Sequence, residues 1–506
     1  MITTEDTEER RKNPASSASS VVKRCGALLF VALLSMAHVG SPDTFFTGKA
    51  GPYDVRVSVR LPGVIPGRAQ VAVRVIGSTT PAAYRVSVRA GQWNLGLKGA
   101  PPAEIAAGVP GDPALYSTEL WFMTATSYEM FVTVDGPAGS GTAMVPVMAL
   151  ATTARAMTPG LGAILAALGV FLTAGMLTII GAAIRESVLT PGVEPDGARR
   201  RRARLGIAGT AAVAALILWG GNSWWNAEAA SYGRFVLYRP FAATAAVGGD
   251  RLTLSIRDPR WTRTPSPRSP YNAPLPDHGH LMHLFLVRDG SLDGFAHLHP
   301  VPRTPDAKDF DGWAPPLPPG RYRAYADLVH ESGYAQTIVT SVDIPAGAPK
   351  NAGGPSGDDS LFDRPAVAES ARAAFTLDDG TQIVWDRGAT AMTAVEERDL
   401  KFSVRDAGGN PLDVEPYMGM AAHVAVSSRD GSVFAHLHPS GSISMAALQK
   451  FSGGGDAHAA HAARLPGDVA IPYAFPKAGG YRLWVQVKRD GRIQTAAFDL
   501  DVHPQE

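Results

Sequence analysis

Phe295-Ala296-His297-Leu298-His299-Pro300 recurs as Phe434-Ala435-His436-Leu437-His438-Pro439, and these two stretches decide how the C-terminal half of the chain is read. Each follows an Arg-Asp-Gly sequence, Arg288 to Gly290 and Arg429 to Gly431, and before that another histidine, His283 or His423. Asp-Gly between apolar runs signals a β-hairpin. Residues i and i+2 of a strand share a face, so His297 points with His299 and His436 with His438. With Asp430-Gly431 as a two-residue loop, His423 falls opposite His438 with His436 diagonal to it, and opposed Cβ atoms lie about 5 Å apart. Three imidazoles then share one hairpin face. The first copy has one more residue in its loop, which leaves its register open and puts His283 near His297 or His299.

The arm leading into each hairpin bears on what such a cluster would bind. It reads His278-Gly279-His280-Leu281-Met282-His283 in the first copy and Met418-Gly419-Met420-Ala421-Ala422-His423 in the second, so Met418 and Met420 replace His278 and His280. Imidazole suits copper, zinc and nickel, whereas a thioether is a soft ligand that favours Cu(I). The exchange points to copper, with zinc as the alternative ion. The expected sites are a histidine-rich one in the first copy (His278, His280, His283, His297, His299) and a mixed one in the second (Met418, Met420, His423, His436, His438). In a straight strand His280 and His283 face opposite sides, so both reach one ion only if the chain bends near Gly279 or Gly419. The competing reading is a buried hydrogen-bonded network packed on Phe295 and Phe434. A pH sensor is a further alternative, because imidazoles repel when protonated near pH 6.5. His330 and His503 stand alone, and Gly453 to His461 reads as a loop with incidental histidines.

Lys and Arg number 47 against 46 Asp and Glu, which leaves no basic excess for nucleic acid. The charge is arranged locally instead. Residues 159–184 are uncharged over more than the ~20 residues a bilayer requires, giving a transmembrane helix at 158–184. Leu205 to Gly221, followed by Trp224 and Trp225 as interfacial anchors, gives a second at 205–223. Between them Arg185 and the run Arg199 to Arg204 mark 185–204 as a basic cytoplasmic loop by the positive-inside rule. Residues 1–40 read as a cytoplasmic N-terminus and a signal peptide or signal anchor: Lys23 and Arg24 precede an apolar run from Cys25 to Val39, with Ser35-Met36-Ala37 a small-residue cleavage junction. The flanking regions are then extracytoplasmic or periplasmic, on a plasma (inner) membrane. The single Cys25 excludes an internal disulfide.

Residues 41–157 read as β structure. Tyr53 to Arg60 and Ala69 to Ile76 alternate apolar with polar residues around the turn-rich Pro62 to Gly67, and Phe131 to Val134 pairs with Thr142 to Val147 about Gly136 to Gly141. Short strands with Gly/Pro turns predict a β-sandwich. Scattered methionines here, Met123, Met130, Met144 and Met148, read as core filling. A partner or assembly surface is expected on this region. Residues 232–345 and 372–506 form an internal repeat: Leu252 to Asp258 corresponds to Leu400 to Asp406, then come the hairpins, then Gly320 to Tyr325 against Gly480 to Trp484. Residues 346–371 read as a flexible linker rich in Pro, Gly, Ser and Asp, and Pro265 to Pro276 as an irregular surface loop.

These segments resemble the small immunoglobulin-like β-sandwiches of bacterial extracytoplasmic proteins in the YtkA, FixH and CopC group. Gly51-Pro52-Tyr53-Asp54-Val55 and Pro62-Gly63-Val64-Ile65-Pro66-Gly67 are most similar to the YtkA and FixH type, and the Phe-Ala-His-Leu-His-Pro repeats look closer to metal-handling relatives. The resemblance implies three immunoglobulin-like β-sandwich domains, and with the apolar runs above the chain reads as mainly β with two to three transmembrane helices. His38 does not match the N-terminal histidine typical of CopC-like copper carriers.

The expected function is membrane-anchored binding, buffering, delivery or sensing of a metal, copper first. The alternative is an envelope scaffold or protein-interaction module with structural histidines. A three-histidine zinc site could activate water, with Asp277 or Asp293 as general base, but there is no phosphate loop, zinc-protease helix or nucleophile elbow, so no enzymatic role is expected. Two helices without intramembrane charge make a poor ion path, so transport by this chain alone is not expected.

Overall fold

The computed structural model describes residues 43–77, 84–261, 271, 273–304, 308–346, 357–452 and 464–505. The expected signal segment with Cys25 and His38, the His458 and His461 tract, much of the Pro265 to Pro276 loop and the first part of the linker lie outside the described residues.

The alternation read in the N-terminal region becomes eight strands: β1 (Thr44–Ala50), β2 (Tyr53–Arg60), β3 (Gly67–Val75), β4 (Arg85–Gln92), β5 (Glu104–Val109), β6 (Asp112–Phe122), β7 (Thr126–Gly136) and β8 (Gly139–Ala149). They run in the order β1-β2-β3-β6-β5-β4-β7-β8, and β1 lies beside β8, so the ribbon curls around one core. Val55, Val57 and Val59 of β2 fill it, as a period of two requires. Met130 is fully buried there, whereas Met123 is exposed.

Two helices long and apolar enough to span a membrane follow, α1 (Pro159–Glu186) and α2 (Gly197–Phe235). They pack on each other near their connection, where a β-carbon at Gly181 or Gly206 would displace the tip of the Ile207 or Ile184 side chain. The connection between the helices, 187–196, is shorter than the expected loop 185–204, and the second helix is longer than 205–223. Arg199 to Arg204 are helical, because the Asp196 side chain accepts the Arg199 N–H at 2.7 Å and caps α2 ahead of them. From Leu205 to Trp224 the helix rises about 30 Å, the thickness of a bilayer core. Its last turns continue beyond the tryptophans, and Tyr232 packs against the N-terminal core.

The first copy comprises β9 (Ala243–Gly248), β10 (Arg251–Ile256), β11 (Pro274–Leu275), β12 (His283–Arg288), β13 (Phe295–Leu298), β14 (Val301–Pro302), β15 (Asp309–Trp313), β16 (Gly320–His330), β17 (Ala335–Ile344) and β18 (Ser360–Phe362). The second comprises β19 (Arg372–Thr376), β20 (Gln382–Asp386), β21 (Arg398–Arg405), β22 (Asp413–Val414), β23 (His423–Ser428), β24 (Phe434–Leu437), α3 (Met445–Phe451), β25 (Leu465–Pro466), β26 (Asp468–Tyr473), β27 (Gly479–Arg489) and β28 (Arg492–Val502). The repeat is visible in the pairing: β13-β12-β16-β17 matches β24-β23-β27-β28, and β15-β10-β9 matches β26-β21-β20. The linker is not flexible throughout. Its β18 pairs with β13, Phe295 opposite Phe362.

The hairpin sheets of the two copies pack on each other. Leu284 and Leu286 point into the first copy's own core, while Phe285 and Val287 join a core shared with the second copy. The contacts are reciprocal, as in an isologous dimer. Phe295 stacks on Trp484 at 4.6 Å and Phe434 on Tyr325 at 4.2 Å, where Trp484 and Tyr325 are register equivalents beside β23 and β12. Each stack is worth ~1 kcal/mol beyond its buried area. Arg482 donates to the Leu292 carbonyl at 2.8 Å, and the Tyr325 hydroxyl to the Gly431 carbonyl at 3.1 Å, so each copy grips the other's hairpin loop. The N-terminal region docks on the second copy through the β1 edge, where Thr47 N–H reaches the Ser440 carbonyl at 2.9 Å, and through Arg56 of β2, which pairs with Asp399 at 2.8 Å. That covers an otherwise free strand edge.

Candidate metal centre between the two copies

Both hairpins have the register that sets histidines face to face. Val424 pairs with Leu437 and Leu284 with Leu298, so one step further His423 meets His438 and His283 meets His299. The extra loop residue of the first copy is absorbed before Gly294. The bend required near the glycines is present twice. Asp277 and His280 exchange backbone hydrogen bonds of 2.8 and 2.9 Å around His278 (φ 51°) and Gly279 (φ 89°). Tyr417 and Met420 do the same around Met418 (φ 49°) and Gly419 (φ 80°). Positive φ at both central residues is what a type I′ turn demands, and Gly at the second position adopts it without a Cβ penalty.

Because the hairpin faces oppose each other, one of the two expected sites is shared between the copies. Two groups of three histidines form, with the ligating nitrogens of each within 4.8 Å of one another. One is His283, His297 and His299. The other is His423 and His438 with His278, which arrives from the first copy's arm; its ring lies 5.2 and 5.1 Å from theirs. Nitrogens sharing one ion at about 2 Å are at most about 4 Å apart, so closure on an ion needs a movement of less than about 1 Å. His436 lies between the groups, 5.4 Å from His283, 5.6 Å from His297 and 4.5 Å from His438. His280 stacks on His299 at 4.0 Å, with Nε2 3.3 Å from the Asp358 carboxylate. Met418 and Met420 are half-buried on the second arm. Asp293 is tied to Arg288 in the hairpin loop, and Asp277 accepts the Ala446 N–H at 2.7 Å.

The outer contacts set which ring nitrogen carries the proton. His299 Nδ1 lies 3.0 Å from the Asp359 carboxylate, His297 Nδ1 2.9 Å from Gln486 Oε1, and His438 Nδ1 3.3 Å from the Ile443 carbonyl. Each acceptor holds a proton on Nδ1 and leaves Nε2 with a lone pair. In His283 it is Nε2 that faces the Asp277 carbonyl, at 3.1 Å, which leaves Nδ1 with the lone pair. That atom lies 3.2 Å from His297 Nε2. Two lone pairs thus face each other, an arrangement a cation relieves. His278 Nε2, His299 Nε2, His436 Nε2, His438 Nε2 and both nitrogens of His423 are buried without a hydrogen-bond partner in the protein. A buried unpaired polar group costs about 1–3 kcal/mol, so together these rival the ~5–15 kcal/mol that stabilises a whole domain.

Burial drives the imidazoles of His297, His423, His436 and His438 well below the ordinary 6.5, and those of His283 and His299 to about 3, with repulsion from neighbouring imidazoles adding to it. They are neutral at physiological pH, the form that binds metal. Burial lifts the Asp327 carboxyl to about 6; it lies 3.6 Å from His436 Nδ1. A cavity of about 140 Å³ reaches His436 and His438, with Asp43 and Met148 of the N-terminal region and Tyr238 beyond α2 among its lining.

The sequence reading missed Asp358, Asp359, Gln486 and Asp327. The first two were hidden in the Pro/Gly/Ser/Asp segment taken as linker. Gln486 and Asp327 had a signal in the repeat itself, since each sits directly opposite the first histidine of its hairpin.

Residues 375–504 match a family described as Domain of unknown function (DUF8832), a stretch that contains His423, His436 and His438 but not the first copy. No curated protein matches the chain. Among solved structures, the FN1–FN3 domains of chicken CNTN1 align at 8% identity over 88% of this chain and 97% of that one, with a TM-score of 0.14. Dimeric latent PorU from Porphyromonas gingivalis aligns at 10% identity over 92% of this chain and 34% of that one, with a TM-score of 0.14. Scores this low carry no argument about function.

Proposed function

We propose that this chain is a membrane-anchored, extracytoplasmic copper-binding protein that buffers, delivers or senses the ion, with its cargo held between the two repeats. The observation that carries the reading is the set of neutral, buried imidazole nitrogens left without partners, two of which, in His299 and His438, have the opposite nitrogen held by Asp359 and by the Ile443 carbonyl. That is how ligating histidines are usually held. The soft Met418 and Met420 arm favours copper over zinc. On this reading α1 and α2 cross the plasma (inner) membrane with their arginine-rich connection cytoplasmic, three immunoglobulin-like β-sandwich domains lie outside, and the N-terminal one is left to engage a protein partner. Calorimetry and metal analysis of the full chain in detergent micelles, with Cu(II), Cu(I) and Zn(II), test it. Tight binding that disappears when His297, His299, His436 and His438 are all changed to Ala is the expected result. Equally weak binding by both proteins would leave a scaffold with structural histidines.

A further inference from the structure

We infer that Met418 is a thioether ligand of the first histidine triad, delivered across the interface by the second copy's arm, so that His283, His297, His299 and Met418 form a site for a soft monovalent cation, Cu(I) or Ag(I). This rests on the reading of the triads as metal sites. It reverses the assignment suggested by the sequence, in which the methionines serve their own copy.

The two arms have one backbone conformation, with matching positive φ values and the same pair of closing hydrogen bonds. Their burial also runs in parallel: His278 and Met418 half-buried, Gly279 and Gly419 exposed, His280 and Met420 half-buried, Met282 and Ala422 buried. The first arm crosses over, since His278 sits with His423 and His438 and the Asp277 carboxylate takes the Ala446 N–H. The second arm crosses in the opposite sense. Tyr417, the residue before Met418, donates its hydroxyl proton to the Asp358 carbonyl at 2.8 Å and lies 3.3 Å from Nδ1 of His297 in the first triad. The interface stacks are reciprocal as well, Phe295 on Trp484 and Phe434 on Tyr325. The exchange that carries His278 into the second triad therefore carries Met418 to the first. Three imidazoles and a thioether favour Cu(I), whereas three imidazoles alone also accept Cu(II) or Zn(II). The two sites are unlike although the hairpins are alike.

The test is X-ray absorption on the full chain in detergent micelles loaded with Cu(I), beside Met418→Leu and Met420→Leu, with Cu(I) affinity read by chelator competition. A sulfur scatterer in the wild type, kept in Met420→Leu and lost in Met418→Leu with Cu(I) affinity weaker by about tenfold or more and Zn(II) stoichiometry unchanged, is the expected result. Sulfur retained in Met418→Leu, lost in Met420→Leu, or absent from the wild type would overturn the ligand assignment and leave the metal sites standing. No Cu(I) bound by the wild type would overturn both.

Discussion

The two hairpins share a register, a turn and a strand order, yet their surroundings differ in chemistry. Opposite His283 stands Asp327, a carboxylate that approaches His436; opposite His423 stands Gln486, a neutral amide that holds His297. Phe285 stacks flat on His297 at 4.1 Å, and its register equivalent in the second copy is Ala425. A negative partner raises the basicity of the imidazole it touches, while an amide only orients it. The repeat has thus kept the geometry that gathers six hairpin histidines and varied the shell that tunes them. On the proposed function, such variation would let one interface hold two ions of different character.

Acid should break the comparison most severely. His283 and His299 fall to about 3 in the fold against 6.5 when unfolded, so the unfolded chain binds more protons between those values. Their contribution is complete above pH 6.5 and is lost as pH falls toward 3, on the order of several kcal/mol in total. Thermal melts of metal-free protein across that window are expected to drop steadily, and a flat profile would contradict the buried neutral state. Trp484→Ala removes a fully buried ring that stacks on Phe295 and should cost about 3–5 kcal/mol in denaturant unfolding. Asp359→Asn should weaken metal at the first triad by about 10–100-fold, because His299 loses its charged orienting partner. Gln486→Ala should cost less than Asp359→Asn, since Tyr417 still reaches His297 Nδ1; equal losses would mean that the charge on Asp359 is irrelevant.

Much of this was legible in the sequence. Tyr53 to Arg60 emerges as the strand its alternation predicts, and the second hairpin has the register expected from Asp430-Gly431, although the loop that closes it runs from Arg429 to Ser432. The face-to-face packing of the copies was written in β12, His283-Leu284-Phe285-Leu286-Val287. A strand without polar alternates must be covered on both sides, and a sandwich alone covers one. What could not be read was the exchange of arms. His278 lies beside His280 in sequence and joins the other copy in space, because the partner of a turn residue is set by how two sheets dock and not by local periodicity. Asp358 and Asp359 were illegible for a different reason: composition marks a segment as polar and turn-rich, but not that its end adds a strand to β13.

The central claim is that the second triad is built from both copies, and a double-mutant cycle on Cu(II) affinity of the full chain tests it most directly. His278→Ala should couple to His438→Ala, the double variant being little worse than either alone, and should be additive with His299→Ala. Coupling of His278 to His299, with additivity toward His438, would return the sites to one per copy and contradict the account.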